Sequence, residues 1–171
     1  MILRTKPDDT VYETDIVVRK PKDVLRYMHD PRYDRIEIAI NRKDEEGQRQ
    51  AILAALDDVW EYGGRTVYID EMMYLTDLKL EHKIKRLMTQ SRSLGTSVIM
   101  GMQRPVEIPR TVISQCTHLC TFVMDGRDVL TVKQALGTSA VQGVDVLPRH
   151  HFRWYSVVER KAWTGTVQEL W

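Results

Sequence analysis

The chemistry-bearing stretch of this sequence is Thr66-Val67-Tyr68-Ile69-Asp70-Glu71, an apolar run that ends in two adjacent carboxylates. Where a buried strand delivers such a pair at its C-terminal end, it reaches the edge at which parallel α/β sheets place ligands. In hydrolysis of a phosphoanhydride the two carboxylates divide the work: the first holds the water shell of a magnesium ion, and the second orients and deprotonates the attacking water. The bland alternative is a strand ending in a polar turn, with Glu71 in the first turn of the next helix. Val98-Ile99-Met100-Gly101-Met102-Gln103-Arg104-Pro105 follows one strand later. The neutral amide of Gln103 can bond a terminal phosphate or the attacking water, or it can be an ordinary loop residue. Arg92 stands between the two, in Leu87-Met88-Thr89-Gln90-Ser91-Arg92-Ser93-Leu94-Gly95. Its planar fork suits phosphate oxygens, on a neighbouring subunit for instance, and it equally suits the negative end of a helix.

Elements to carry these residues can be read from periodicity. Ile16 to Lys20, Arg35 to Ile40, Arg65 to Asp70, Ser97 to Met102 and His118 to Met124 have strand composition and length. Asp44 to Tyr62 and Leu78 to Leu94 carry apolar residues at helical spacing, and Arg127 to Leu136 reads as a further helix. Pro21 opens a short helix to about His29, while Gly63, Gly64, Gly95 and Gly137 stand where helices stop. Alternation of this kind predicts parallel pairing through crossover connections, hence an α/β fold. Phe152 to Val158 and Lys161 to Val167 read instead as an antiparallel hairpin.

The 171 residues are 43% hydrophobic and 29% charged, which excludes collagen-like, disulfide-scaffold and strongly disordered classes and gives room for one domain over residues 1–171. Twenty-five Lys and Arg against 24 Asp and Glu leave a formal charge of +1, so any basic surface must be local. Two cysteines make no disulfide framework, and no leader or membrane-spanning run is visible. The expectation is a cytoplasmic protein without direct membrane insertion.

TVYIDE, TQSRSLGTSVI, GMQRP, ISQCTHLCTFVMDGRD and ALG, in this order and spacing, resemble the core of the FtsK/HerA superfamily of P-loop ATPases over roughly Arg65 to Gly137. That superfamily includes DNA translocases, conjugative coupling proteins and viral packaging ATPases. The resemblance implies a RecA-like, mostly parallel sheet flanked by helices, with ATP and Mg as cofactors. It implies Asp70 as the Walker B aspartate holding Mg through water, Glu71 as the catalytic base and Gln103 as the phosphate sensor. Arg92 matches the arginine of the family's R-x-x-G segment, proposed to act across a subunit interface. DNA and a homo-oligomer, a hexamer-type ring, are the implied partners.

The departure from the family lies at the front. Its G-x-x-x-x-G-K-[ST] loop holds the β- and γ-phosphates, yet this sequence has no Gly-Lys pair. Ile2 to Asp9 looks like the strand that follows the P-loop helix, so the phosphate-binding strand, loop and helix are expected to be missing. In the family that strand lies between the sensor strand and the next, here Ser97 to Met102 and His118 to Met124; both should face an empty slot. No ATP hydrolysis is expected from the chain alone. Two accounts follow: a truncated or mis-started ATPase core of a DNA-translocating or DNA-packaging motor, or a non-catalytic assembly or regulatory subunit docking onto a complete ATPase. A DNA-binding module without ATP chemistry is a third.

Weaker signals have plain readings. Cys116, His118 and Cys120 are too few for a zinc site and are expected to be small core residues on a strand, and His150-His151 a loop. Lys83, Lys85, Arg86, Arg92 and Arg104 form a run of five cations without a carboxylate, suited to a DNA backbone or simply to a solvated helix face. Trp60, Trp154, Trp163 and Trp171 look too scattered for base stacking and read as core or interface anchors.

Overall fold

A computed structural model describes residues 1–4, 12–41 and 43–170. The chain divides into two compact units, Met1–Gln103 and Arg104–Trp171. The first holds a five-stranded parallel sheet built from β1 (Ile2–Leu3), β2 (Ile16–Val18), β3 (Ile36–Ile38), β4 (Thr66–Ile69) and β5 (Ser97–Met100), in the order β2-β3-β1-β4-β5. Registers Val18↔Ile38, Leu3↔Ile38, Leu3↔Ile69 and Ile69↔Met100 line up one apolar row across all five strands. Leu3 and Ile69 are fully buried in that row, and burial of each such side chain stabilises by about 1.5–3 kcal/mol.

The helices of this unit are α1 (Val24–Met28), α2 (Glu45–Tyr62), α3 (Met72–Asp77) and α4 (Glu81–Gln90). Ala51, Ile52, Ala55, Leu56 and Val59 of α2 recur at helical spacing and all are buried, the face that the apolar period predicts. Asp44 caps α2: its Oδ1 accepts the Gly47 N–H at 2.8 Å. Replacing Asp44 with Ala should therefore lower stability by about 1 kcal/mol in urea denaturation, since one helix donor loses its acceptor.

The Leu78 to Leu94 expectation is corrected at both ends. Lys79 adopts φ 58°, which no helix interior tolerates, so Leu78 and Lys79 belong to a turn that separates α3 from α4. At the other end Ser91 to Gly95 form a turn in which Ser91 O accepts the Thr96 N–H at 2.9 Å and Gly95 has φ 61°.

The second unit contains α5 (Arg110–Ser114), β6 (His118–Thr121), α6 (Gly126–Leu136), α7 (Thr138–Val141), β7 (His151–Ser156) and β8 (Lys161–Thr166). Its three strands form an antiparallel sheet in the order β6-β7-β8. Val132, Ala140, Val141, Val144 and Tyr155 are its core, with Leu119 and Ala162 packed against them. The hairpin expected at the C-terminus is present. Parallel pairing for the His118 strand is not: β6 runs antiparallel to β7, because the hairpin offers it a hydrogen-bonding edge. Nor is Cys120 a core residue. It is exposed, as its alternation partner Leu119 takes the core side.

Both β5 and β6 are terminal strands of their sheets. Ser97 and Gly101 donate their N–H groups to Arg65 O and Ile69 O, so the alternating backbone groups of Val98 and Met100 turn to the side without a strand. Thr117 O accepts the Val157 N–H at 2.9 Å, which turns His118 and Cys120 to the free side of β6 in the same way. Ile99 on β5 is 55% exposed, unusual for an apolar residue of a parallel sheet.

Candidate active site

Chain order brings the two carboxylates and the glutamine toward one end of neighbouring strands. Strand β4 ends at Ile69, so Asp70 and Glu71 follow directly from its C-terminal end, and β5 runs parallel beside it in the register Thr66↔Ser97 to Ile69↔Met100. Beyond that register Gly101 closes the junction: its N–H donates to Ile69 O at 2.8 Å, and its carbonyl accepts the Met72 N–H at 3.0 Å. A methyl group on Gly101 would overlap the Asp70 carbonyl oxygen, so the close approach of the two strand ends requires glycine here. Gln103 follows two residues later, exposed, in the bend after β5.

The carboxylates have different surroundings. Glu71 is 7% exposed and sits at the N-cap of α3 with extended backbone. Asp70 is half-buried, and its Oδ2 is sealed from solvent with no hydrogen-bond partner among the described residues. A shielded carboxylate oxygen without a partner is costly unless something supplies a positive charge or a donor. A hydrated magnesium ion does both, so the acidic end of β4 fits the metal-and-water half of a nucleotide site. The phosphate-cradling half, a glycine-rich loop with its lysine, has no counterpart in these residues.

Arg92 is not part of that cluster. It is exposed in the turn between α4 and β5, at the N-terminal end of β5, whereas Asp70 lies past the C-terminal end of the parallel β4. The four paired residues between these ends span about 13 Å. The Arg92 side chain has no partner among the described residues.

The run of five cations is also taken apart. Lys83 Nζ pairs with Asp57 Oδ1 at 2.5 Å, and the Arg86 guanidinium lies 3.5 Å from the centre of the Trp60 ring. In the second unit Arg104 forks onto Asp128 at 2.9 Å and Asp125 at 3.1 Å. Sequence reasoning missed this clamp, although MDGRD carries its signal: Asp125 caps α6 by accepting the Arg127 and Asp128 N–H groups, and the buried Asp128 accepts the Val106 N–H at 2.9 Å. The Asp128 amide holds the Asp125 carboxyl below the ordinary carboxylate range, with the Arg127 amide and the Arg104 charge adding to it. Among the described residues Lys85 and Arg92 have neither a counterion nor a ring partner.

A parallel sheet with acidic residues past one strand end and a polar loop past the next, flanked by helices and followed by a short antiparallel sheet, is the RecA-like ATPase fold. Among solved structures the chain is similar to the genome-packaging NTPase B204 from Sulfolobus turreted icosahedral virus 2. Its sulfate complex matches with TM-score 0.70 at 15% identity, covering 96% of this chain and 79% of that one. Its complex with AMPPCP gives 0.68 at 15% identity, covering 96% and 81%. B204 of Sulfolobus Turreted Icosahedral Virus, described as a DNA-packaging ATPase, gives 0.68 at 16% identity, covering 96% and 80%. No family model and no curated protein sequence matches the chain. Among the described residues no helix is long and apolar enough to cross a membrane.

Proposed function

We propose that this chain is the ATPase core of an oligomeric DNA-packaging motor, in which Asp70 holds Mg through water, Glu71 is the base and Gln103 senses the terminal phosphate. The shielded Asp70 oxygen without a hydrogen-bond partner at the C-terminal end of β4 carries this reading, because the water shell of a cation would satisfy it. Likeness of fold to a genome-packaging NTPase supports the process assigned to it. Arg92, at the opposite end of β5, would serve a nucleotide held by a neighbouring subunit rather than by its own chain.

These residues alone hold no phosphate cradle, so the reading makes a sharp binding prediction. Calorimetric titration of the 171-residue chain with Mg-ATP should show no binding. A longer chain that adds an upstream strand, a Gly-Lys-Ser/Thr loop and a helix should bind it. Failure of both to bind would favour the second reading, an assembly subunit that docks onto a complete ATPase. The terminal β5 and β6 strands give that reading its support, since each has backbone groups turned to a side with no strand among the described residues and could accept one from a partner.

A further inference from the structure

The C-terminal sheet turns one face to its core; on the other face Phe152 and Ser156 of β7 are buried, while the part formed by His118, Cys120 and Trp163 is exposed. Leu119, Tyr155 and Ala162 pack inward. Alternation then puts Cys120, Trp154 and Trp163 on the other face, where they are neighbours across the strands through Cys120↔Trp154↔Trp163. The Trp154 and Trp163 rings are stacked with centroids 6.0 Å apart and planes at 26°, and His118 lies 5.5 Å from Trp154. Trp163 is 50% exposed, and His118 is exposed as well.

Charge near this aromatic row is mostly positive. Between Arg149 and Gln168 there are four Arg and Lys residues, Arg149, Arg153, Arg160 and Lys161, against the single carboxylate Glu159. Arg153 is tied to Ser139 O at 2.9 Å. The side chains of Arg149, Arg160 and Lys161 are exposed and have no partner among the described residues. Arg160 and Lys161 stand at the turn end of the hairpin and Arg149 precedes its other end, so the stacked rings lie between cations. Along the strands the five steps from Lys161 to Thr166 amount to about 17 Å.

We propose that this outer face binds single-stranded nucleic acid, with Trp163 and Trp154 stacking on exposed bases and Arg149, Arg160 and Lys161 meeting the phosphates. Aromatic rings stack on any base, and unpaired cations neutralise the backbone, the combination that binds single strands without reading their sequence. A duplex keeps its base faces covered by one another and offers phosphates and groove edges, but no open ring face on which an indole can stack. A second copy of this chain fits poorly, since a two-fold interface would bring the same cationic flanks together at a cost. The site goes beyond the nucleotide reading above and shares no residue with it, so either can fail alone.

Tryptophan fluorescence of the 171-residue chain, titrated with a thymidine oligonucleotide and with a duplex of equal length, tests it. The single strand should quench and bind more tightly than the duplex. Trp163→Ala should weaken binding about tenfold or more, and Trp163→Phe should restore most of it, because the phenyl ring also stacks. Affinity should fall with salt, and Arg160→Ala with Lys161→Ala should flatten that dependence. Undiminished binding by a folded Trp163→Ala chain, equal affinity for the duplex, or an oligomer that this substitution dissociates would each overturn the proposal. If Trp163→Ala does not fold, Lys161→Glu decides, and unchanged single-strand affinity would end the idea.

Discussion

Glu71→Gln, introduced into a longer chain that carries a Gly-Lys-Ser/Thr loop, should slow ATP hydrolysis by about 10²–10⁴-fold while Mg-ATP binding persists. An amide has nearly the shape of the carboxylate, so the N-cap position on α3 and the 7% exposure of the side chain are kept. What is lost is the capacity to take the proton of the attacking water. Asp70→Asn is the informative companion. Its effect should fall first on magnesium-dependent affinity, because the orphaned Oδ2 would no longer carry the negative charge that holds the ion's water. The split separates roles that a simple loss of fold could not, since unfolding removes binding and turnover together. Full turnover in the Glu71→Gln chain would remove Glu71 from the mechanism and with it the case for a hydrolytic site at the end of β4.

The parts of the fold that could be read from sequence are those fixed by local periodicity. Ile52, Leu56 and Val59 announce α2 by spacing alone, and TVYI announces β4 by composition. Asp70, Glu71 and Gln103 follow as consequences of order, because consecutive strand ends in a parallel sheet share an edge. Pairing partners were not legible in the same way. A link of two residues, Glu159 and Arg160, would set Val158 opposite Lys161 and Trp154 opposite Gly165. The structure uses a four-residue turn, 157–160, with Arg160 at φ 55°, so Ser156 meets Lys161 and Trp154 meets Trp163. That two-residue shift keeps the face and changes the neighbour, and it turns tryptophans that look scattered along the chain into a stacked pair.

Charge shows the same division between local and long-range information. The run from Lys83 to Arg104 reads as a free basic strip because its counterions lie far away in sequence, at Asp57, Asp125 and Asp128, with Trp60 beneath Arg86. Composition cannot supply those partners. Long-range pairing takes up most of the expected patch, while Arg149, Arg160 and Lys161, at the two ends of the C-terminal hairpin, have no partner among the described residues. The cations without counterions therefore lie at the C-terminal sheet rather than along α4, a distribution that only tertiary structure could reveal.

Gly101→Ala should destabilise the chain by about 2–3 kcal/mol in chemical denaturation, although it adds one methyl group. The new Cβ falls on the Asp70 carbonyl oxygen, a backbone atom that no rotamer change can move. Relief requires β5 to draw away from β4, which stretches the Gly101 N–H bond to Ile69 O and the Met72 N–H bond to Gly101 O. Gly95 is the control that isolates this effect. It has φ 61° but nothing within 4 Å of an added Cβ, so Gly95→Ala should cost only the left-handed strain of an L-residue, about 1 kcal/mol. Since those two bonds bracket Asp70 and Glu71, the Gly101→Ala chain should also lose nucleotide affinity in any P-loop-bearing context, and Gly95→Ala should not. Equal costs for the two substitutions would mean that β4 and β5 do not approach closely at this point, and the acidic end of the sheet would lose the junction that holds it in place.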